Sequence, residues 1–256
     1  MGRVGTVTSA ILPGCEPFAS AGGPLGVLVL HGFTGSPQSL RNLAEDLAGA
    51  GHTVRLPLLP GHGTSVEDLM TTDWSHWSAA ALAAYDELAA DVSAVVVAGL
   101  SMGGGLAALV AEQRAVAGCV FINPLVKPPD PAMLEGLDAL LAEGIETIDG
   151  IGSDIKRPGP VEFAYPTTPL ACAKSLFVGV ADVYDHLVDI VAPSLLFTSR
   201  EDHVVTADNG DDLLARVSGP VERIWLEDSY HVATMDNDAA LIERRVRDFV
   251  NALVPA

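Results

Sequence analysis

The chain has 256 residues, 49% of them hydrophobic, and is therefore long enough to bury one large core without a second domain. Its formal net charge of −19, from 33 acidic and 14 basic residues, disfavours nucleic acid and anionic membrane surfaces as partners, because both would repel it. No apolar run approaches the ~20 residues that span a bilayer, so the composition predicts no stable membrane insertion.

The first predicted strand is the buried apolar run at 27–30, which leads directly into the motif His-Gly-Phe-Thr-Gly at 31–35. Ser36 and Pro37 follow as a helix N-cap and a first-turn proline, and they predict that a helix begins there. His31 could act as a base or as a ligand. Its place in this glycine-rich loop favours a bracing role for the ring.

The most informative motif is Gly-Leu-Ser-Met-Gly at 99–103, which follows the apolar run 94–98 and precedes a helix-like run at 104–117. A serine on a sharp turn between a buried strand and a helix is a nucleophile elbow. We expect the flanking glycines to let the backbone pass through a strained φ/ψ region that lifts the Ser101 hydroxyl above the sheet. The alternative is a glycine-rich turn with a capping serine.

Residues 124–190 interrupt this pattern, because they contain no recognisable strand and hold 8 of the 17 prolines. Asp130 and Pro131 predict the start of a short helix with an apolar stripe over 133–141. Two further short helices are expected within 170–187. We interpret the segment as a small helical cap insertion, whose stripe either packs on the core or lines a pocket.

Three histidines follow Ser101, and a nucleophilic serine needs a histidine base that is itself oriented by a carboxylate. His231 comes just after the predicted strand 221–226 and is the expected base. His203 is expected to be a structural loop residue, and His186 a surface or packing residue.

The carboxylate should lie at the end of the strand before that one, which is predicted at 194–198. Asp202 is the candidate that this position favours, with Glu201 as the alternative. Asp228 is a weaker rival, because it leads into the histidine loop.

Strand-like runs alternate with helix-like runs along most of the chain, which predicts a mostly parallel sheet with helices on both faces. The first 20 residues or so are expected to add an antiparallel edge hairpin, and Asp236 is expected to cap the last helix. The predicted strands are 27–30, 52–56, 94–98, 118–122, 194–198 and 221–226.

With these residues in view, the chain resembles the bacterial monoacylglycerol lipases and thermostable carboxylesterases of the α/β-hydrolase superfamily. One departure is Gly105, where a larger residue is expected in the helix and glycine adds flexibility. Five blocks spread over nearly the whole chain carry the resemblance: His31–Gly35, Leu58–Thr64, Gly99–Gly104, Glu201–Val205 and Ser229–Thr234.

The resemblance implies an α/β-hydrolase fold as a single domain over 1–256, with the cap insertion at about 124–190. It gives Ser101, Asp202 and His231 the roles of a catalytic triad. The backbone N–H groups of Phe33 and Met102 would form the oxyanion hole. Such chemistry requires no metal and no organic cofactor.

The implied activity is hydrolysis of carboxylic esters through an acyl-enzyme, with monoacylglycerols of medium or long acyl chain as the expected substrates. Glu162 lies in a cap segment that resembles the one placing an acidic side chain against glycerol hydroxyls in the lipase family. It could equally be a solvated loop residue. The alternative is a general short- to medium-chain carboxylesterase. The same triad could also hydrolyse thioesters, transfer the acyl group to other acceptors or cleave carbon–carbon bonds. The rival from a different class is a binding module that has the pocket but no turnover.

Three cysteines, odd in number and widely spaced, indicate reduced thiols, with no spacing typical of a metal site. The start of the chain shows no basic region followed by a long apolar stretch, so no signal peptide is expected. These features predict a cytoplasmic enzyme whose partner is a small-molecule ester. They carry no indication of an oligomeric state.

Overall fold

The computed structural model describes residues 9–253. Its strands are β1 (Phe18–Ser20), β2 (Leu25–Leu30), β3 (Thr53–Leu56), β4 (Ala94–Leu100), β5 (Gly118–Ile122), β6 (Thr147–Asp149), β7 (Thr167–Pro169), β8 (Ser194–Ser199) and β9 (Val221–Leu226). Its helices are α1 (Arg41–Gly49), α2 (Val66–Leu69), α3 (Trp74–Asp91), α4 (Met102–Gln113), α5 (Pro131–Ala142), α6 (Leu170–His186), α7 (Asp208–Arg216) and α8 (Ala239–Ala252).

Seven strands form one sheet in the order β1-β3-β2-β4-β5-β8-β9, and every neighbouring pair is parallel except β1 with β3. The predicted mostly parallel sheet is confirmed. The antiparallel edge is confirmed as well, but within the described residues it is a single strand and not a hairpin. The reason is that β1 pairs with β3, with Phe18 opposite Leu56, and not with a second N-terminal strand. Residues 1–8, which the prediction also included, lie outside the described part.

Helices cover both faces of the sheet, as predicted. Alternate residues of β4 point to opposite sides, so Val95 and Val97 join one core and Val96 and Ala98 the other. The first core is completed by α3, α4 and α6, and the second by α1 and α8. No helix in the described residues is long and apolar enough to cross a membrane.

The segment between β5 and β8 contains two features that the sequence did not reveal. β6 and β7 form a separate two-stranded antiparallel sheet, so the expectation of no strand there is wrong. Each strand has three residues, too few to show a period of two. The two short helices expected within 170–187 are instead one helix, α6, followed by a short 3-10 turn.

The start of α5 agrees with the prediction, because the Asp130 side chain accepts a hydrogen bond from the Ala132 N–H (2.8 Å). No residue of α5 is fully buried, so its apolar stripe does not belong to the core.

The cap of the last helix differs from the prediction. α8 begins at Ala239 after a 3-10 turn, and Asp236 does not cap it. The Asp236 carboxylate is buried and accepts backbone N–H bonds from Lys156 (2.7 Å), Arg157 (2.8 Å) and Tyr230 (2.9 Å). Two of these donors, Lys156 and Arg157, come from a distant part of the chain, 80 and 79 residues away, which local sequence does not reveal.

Candidate active site

Ser101 stands between β4 and α4 with φ 56° and ψ −121°, so the strained backbone is that of the serine itself. The flanking glycines were expected to adopt this strained backbone, but they are required for close packing instead. A Cβ at Gly99 would lie 1.9 Å from the Gly103 carbonyl oxygen, and one at Gly103 would lie 2.0 Å from that of Leu30. Both positions need glycine because backbone approaches backbone there.

The same explanation applies to Gly105, the departure from the family pattern. A Cβ at Gly105 would lie 2.7 Å from the Leu125 carbonyl oxygen, and one at Gly104 would lie 2.6 Å from Pro124 Cβ. Leu125 also donates its N–H to the Ser101 carbonyl (3.0 Å). The glycines therefore let the chain that leaves β5 pack directly against the start of α4.

Asp202 and His231 form a buried pair at the ends of β8 and β9. The distance between His231 Nδ1 and Asp202 Oδ2 is 2.8 Å, and the two side chains are 8% and 2% exposed. The other oxygen of Asp202 accepts the N–H groups of Val204 (2.8 Å) and Val205 (2.7 Å), which hold the carboxylate in place. With Nδ1 donating to Asp202, Nε2 of His231 is the ring atom able to accept a proton.

The rival carboxylates lie elsewhere. The side chains of Glu201 and Asp228 are 57% and 63% exposed, and both pair with the Lys156 ammonium. His203, the other histidine near the site, pairs through Nδ1 with Asp154 (2.8 Å), and this contact raises its pKa.

The loop after β2 lies beside Ser101. A Cβ at Gly32 would be 3.5 Å from Ser101 Cβ, and Thr34 adopts a left-handed φ of 60°. Phe33 lies in this loop and lines the same cavity as Ser101. Met102 is the first residue of α4, so its N–H has no acceptor within the helix.

His31 makes the contacts that a bracing role requires. Its Nε2 accepts the Leu59 N–H (3.1 Å) and its Nδ1 donates to the Gly32 carbonyl (2.9 Å), which ties the loop to the chain after β3. Burial lowers the pKa of His31 to about 3 and that of His62 to about 4, so both rings are neutral at pH 7. His62 packs edge-on against the rings of Phe33 and Trp77.

One positioning residue, Asn123, was absent from the predictions. It follows β5 with φ 41°, and its amide Nδ2 donates to the His231 carbonyl (2.8 Å) and to Ser199 Oγ (2.9 Å). Its Oδ1 accepts the Ser199 N–H (2.8 Å). A polar residue at the carboxyl end of a parallel strand is the signal that could have identified it.

Ser101 and His231 both line a cavity of about 380 Å³. The segment between β5 and β8 supplies most of its wall, and that wall is largely apolar. Within the segment, the apolar lining residues are Leu125, Met133, Leu137, Ile148, Ile151, Ala164, Leu170, Ala173, Leu176 and Phe177.

Glu162 is the acidic residue for which the family resemblance implied contact with glycerol and for which a solvated loop position was the alternative. In the structure it lines this cavity. A Cβ at Gly35 would lie 2.9 Å from Glu162 Oε1, so the carboxylate rests on the loop after β2. Burial raises the pKa of Glu162 to about 6, against the opposing effects of the His231 charge and a hydrogen bond from Ser39.

Hydrogen bonds to the backbone on either side of Glu162 hold this residue in place. The Gln38 side chain donates to the Val161 carbonyl (3.0 Å) and accepts the Phe163 N–H (2.8 Å), one contact on each side of Glu162. The Tyr165 N–H donates to the Thr34 carbonyl (3.0 Å). These bonds therefore hold the backbone around Glu162 against the loop after β2, so that Glu162 lines the same cavity as Ser101 and His231.

The comparisons with known proteins agree with the observed fold. The sequence model of the alpha/beta hydrolase family matches residues 27–244. A thermostable monoacylglycerol lipase of Bacillus sp. (strain H-257) is 42% identical over 241 residues, which cover 93% of this chain and 95% of the lipase. A carboxylesterase of Bacillus subtilis (strain 168) is 27% identical over 244 residues, which cover 93% of this chain and 97% of the esterase.

A solved structure from work on LipS and LipT, two metagenome-derived lipolytic enzymes, has the same fold. It superposes with a TM-score of 0.91 at 42% identity and covers 95% of this chain and 100% of its own.

Proposed function

The chain belongs to the alpha/beta hydrolase family, and we propose that it is a serine hydrolase that cleaves carboxylic esters, with monoacylglycerols of medium or long acyl chain as its substrates. One observation carries the proposal. A cavity of about 380 Å³ is lined by Ser101, His231, an apolar wall and Glu162, and the His231 ring is hydrogen-bonded to Asp202 behind it.

In the proposed reaction, His231 Nε2 removes the Ser101 hydroxyl proton as the oxygen attacks the ester carbonyl carbon. Asp202 holds the imidazole tautomer and stabilises the imidazolium that forms. The negative oxygen of the tetrahedral intermediate receives the N–H groups of Phe33 and Met102.

Collapse of the intermediate breaks the bond to the alcohol, and His231 gives its proton to the leaving oxygen. An acyl ester on Ser101 remains. His231 then takes a proton from water as the water oxygen attacks this ester. Collapse of the second tetrahedral intermediate releases the acid, and His231 returns the proton to the Ser101 oxygen.

The substrate class follows from the cavity wall. We assign residues 124–190 the role of a cap on one hydrolase domain, with its apolar side chains receiving the acyl chain, where each buried methylene contributes about 0.8 kcal/mol. Glu162 accepts a hydrogen bond from a glycerol hydroxyl. A hydrogen bond to a charged group in a partly buried site contributes about 1.5–3 kcal/mol.

The test compares kcat/KM for a monoacylglycerol and for the methyl ester of the same acid. Glu162→Gln should lower the value for the glycerol ester about 10-fold or more and leave the methyl ester nearly unchanged. Glu135→Gln is the matched control, because Glu135 is an exposed carboxylate on the cap helix α5 and does not line the cavity.

An equal change on both esters would contradict the glycerol role and leave a general carboxylesterase, the activity for which the 27% identical relative is named. A fluorophosphonate probe should label wild type and not Ser101→Ala. Equal labelling of the two proteins would contradict the assignment of the nucleophile.

We also propose that the enzyme works in the cytoplasm. Cys15, Cys119 and Cys172 are free thiols and are buried, and burial raises the pKa of Cys119 to about 12. Free thiols are typical of a reducing compartment. Cell fractionation in the source organism tests this, and recovery outside the cytoplasm would contradict it.

A further inference from the structure

The cap contributes a carboxylate to the loops that carry Asp202 and His231. Oδ2 of Asp154 accepts the His231 backbone N–H (3.0 Å), and the Asp154 carbonyl accepts the N–H of Val232 (3.1 Å). Oδ1 of Asp154 lies 2.8 Å from Nδ1 of His203, which is the residue directly after Asp202 in the chain. The side chain is only 13% exposed. One cap residue thus contacts both loops of the buried pair.

From this geometry we propose that Asp154 is a positioning residue for His231, and that through it the cap segment 151–157 holds the base in place. This inference rests on the proposed function, in which His231 is the base. Asp154 does not bond to the imidazole, so it acts through the backbone of the residue that does the chemistry.

The far end of the same segment is attached to the same loop. The buried Asp236 carboxylate accepts N–H bonds from Lys156 and Arg157 on the cap side and from Tyr230 on the loop side. The Lys156 ammonium also pairs with Glu201 (3.1 Å) and Asp228 (3.2 Å). Residues 229–232 are therefore held on both sides of His231 by segment 151–157.

This segment also reaches the substrate cavity. Ile151, Gly152 and Asp154 line it, and Ser153 Oγ accepts the Glu162 N–H (3.0 Å). The chain that contacts the substrate is thus continuous with the chain that holds the base. A small displacement of the base is costly, since a misplacement of about 1 Å can cost 10²-fold in rate.

The experiment uses the full chain and measures kcat and KM on both esters, with active sites counted by fluorophosphonate titration. Asp154→Ala removes the acceptor, and Asp154→Asn keeps one carbonyl oxygen for the His231 N–H. Asp138→Asn is the matched control, since Asp138 is a cap carboxylate on α5 that pairs with Lys174 and lies outside the cavity. The downfield proton resonance of the bond from His231 Nδ1 to Asp202 reports the position of the ring directly.

We expect Asp154→Ala to lower kcat per titrated site about 10- to 100-fold on both esters, with KM within about twofold and the resonance weakened or shifted. Asp154→Asn should retain more kcat than Asp154→Ala, and Asp138→Asn should match wild type. If Asp154→Ala does not fold, Asp154→Asn alone decides: an intermediate loss of kcat with a shifted resonance supports the proposal.

Wild-type kcat per site with an unchanged resonance in the Asp154 variants would overturn it, even if their Tm falls. A loss confined to the glycerol ester, or an equal loss in both Asp154 variants, would overturn it too, because it would indicate substrate binding or charge alone. Failure of the proposed function is recognised separately. If Ser101→Ala hydrolysed esters as fast as wild type, the proposed function would fail. The resonance of the His231–Asp202 bond would still show whether Asp154 positions the ring.

Discussion

The two sides of the substrate cavity are built in different ways. The side that carries Ser101 and the Asp202–His231 pair lies at the carboxyl ends of β4, β8 and β9, strands locked in a seven-stranded sheet. The opposite side is the segment between β5 and β8, where α5 has no fully buried residue. Within that segment α6 packs into the core, whereas the stretch that carries Asp154 and Glu162 is attached to the sheet side by hydrogen bonds, among them those of Gln38 and Asp236.

This difference separates two properties of the enzyme. In the proposed mechanism, groups on the sheet side act on the ester carbonyl, which every substrate shares, so their loss should affect all esters alike. Groups on the cap side would contact the parts in which substrates differ. Glu162 should therefore change selectivity, whereas Asp154, the cap residue bound to the base loop, should behave like a sheet-side residue.

The largest effect is expected for the nucleophile and the base. Ser101→Ala and His231→Ala should each lower kcat about 10⁶-fold on every ester, and the double variant little further, because the residues act as a unit. The measurement is kcat on the glycerol and methyl esters, with circular dichroism as the control for folding. A loss on one ester only would contradict the separation of the two sides.

The orienting carboxylate should come next. Asp202→Asn should lower kcat about 10⁴-fold, because an amide in this place favours the wrong histidine tautomer. Glu201→Gln is the matched control, as its exposed side chain pairs with Lys156, and it should retain wild-type kcat. Near-normal activity in Asp202→Asn together with loss in Glu201→Gln would reverse the assignment.

The cap side should show its own pH dependence. Burial raises the pKa of Glu162 from 4.5 to about 6, so the carboxylate is neutral below that pH and ionised above it. The ionised form accepts the stronger hydrogen bond, so the preference for a monoacylglycerol over its methyl ester should grow as pH rises through about 6.

Taking the ratio of the two kcat/KM values removes the ionisation of the base, which both substrates share. The rise should be about 10-fold or more, matching the effect of Glu162→Gln, and it should be absent in that variant. A flat ratio in wild type, or the same rise in the variant, would exclude Glu162 as the group that binds glycerol.

The smallest expected effect is on the stability of the fold, and it is tested by replacing one glycine on each side of the cavity. Gly105→Ala on α4 should destabilise the fold by about 1–3 kcal/mol, because its Cβ would lie 2.7 Å from the Leu125 carbonyl oxygen. A Cβ at Gly136 on α5 meets no atom within 4 Å in residues 9–253 apart from its chain neighbours and the helix's own backbone, so Gly136→Ala should stabilise by about 0.4–1 kcal/mol. Thermal unfolding measures both, and shifts of the same sign would show that close packing does not distinguish α4 from α5.

Much of the sheet side could be predicted from the sequence. The strands predicted at 94–98 and 194–198 became β4 and β8, because strands buried on both faces are largely apolar, here throughout 94–98 and over 195–197. Asp202 and His231 lie beyond neighbouring parallel strands, so their meeting follows from the strand order. The cap side was predicted less well, as the unexpected strands β6 and β7 show.

The sequence by itself determined the sheet, the turn at Ser101 and the candidates for base and carboxylate, since these depend on local hydrophobic periodicity and on short motifs next to strands. Only the tertiary structure decided that Glu162 faces the cavity, that Asp236 joins the cap to the loop of His231 instead of capping α8, and that Asp154 contacts that loop. The physical reason is that nearly all of these contacts join a polar side chain to backbone groups 77 or more residues away, or pack it against them. The bond from Tyr230 to Asp236, six residues apart, is the exception. A backbone N–H is the same at every residue, so no sequence pattern specifies which carboxylate it will meet.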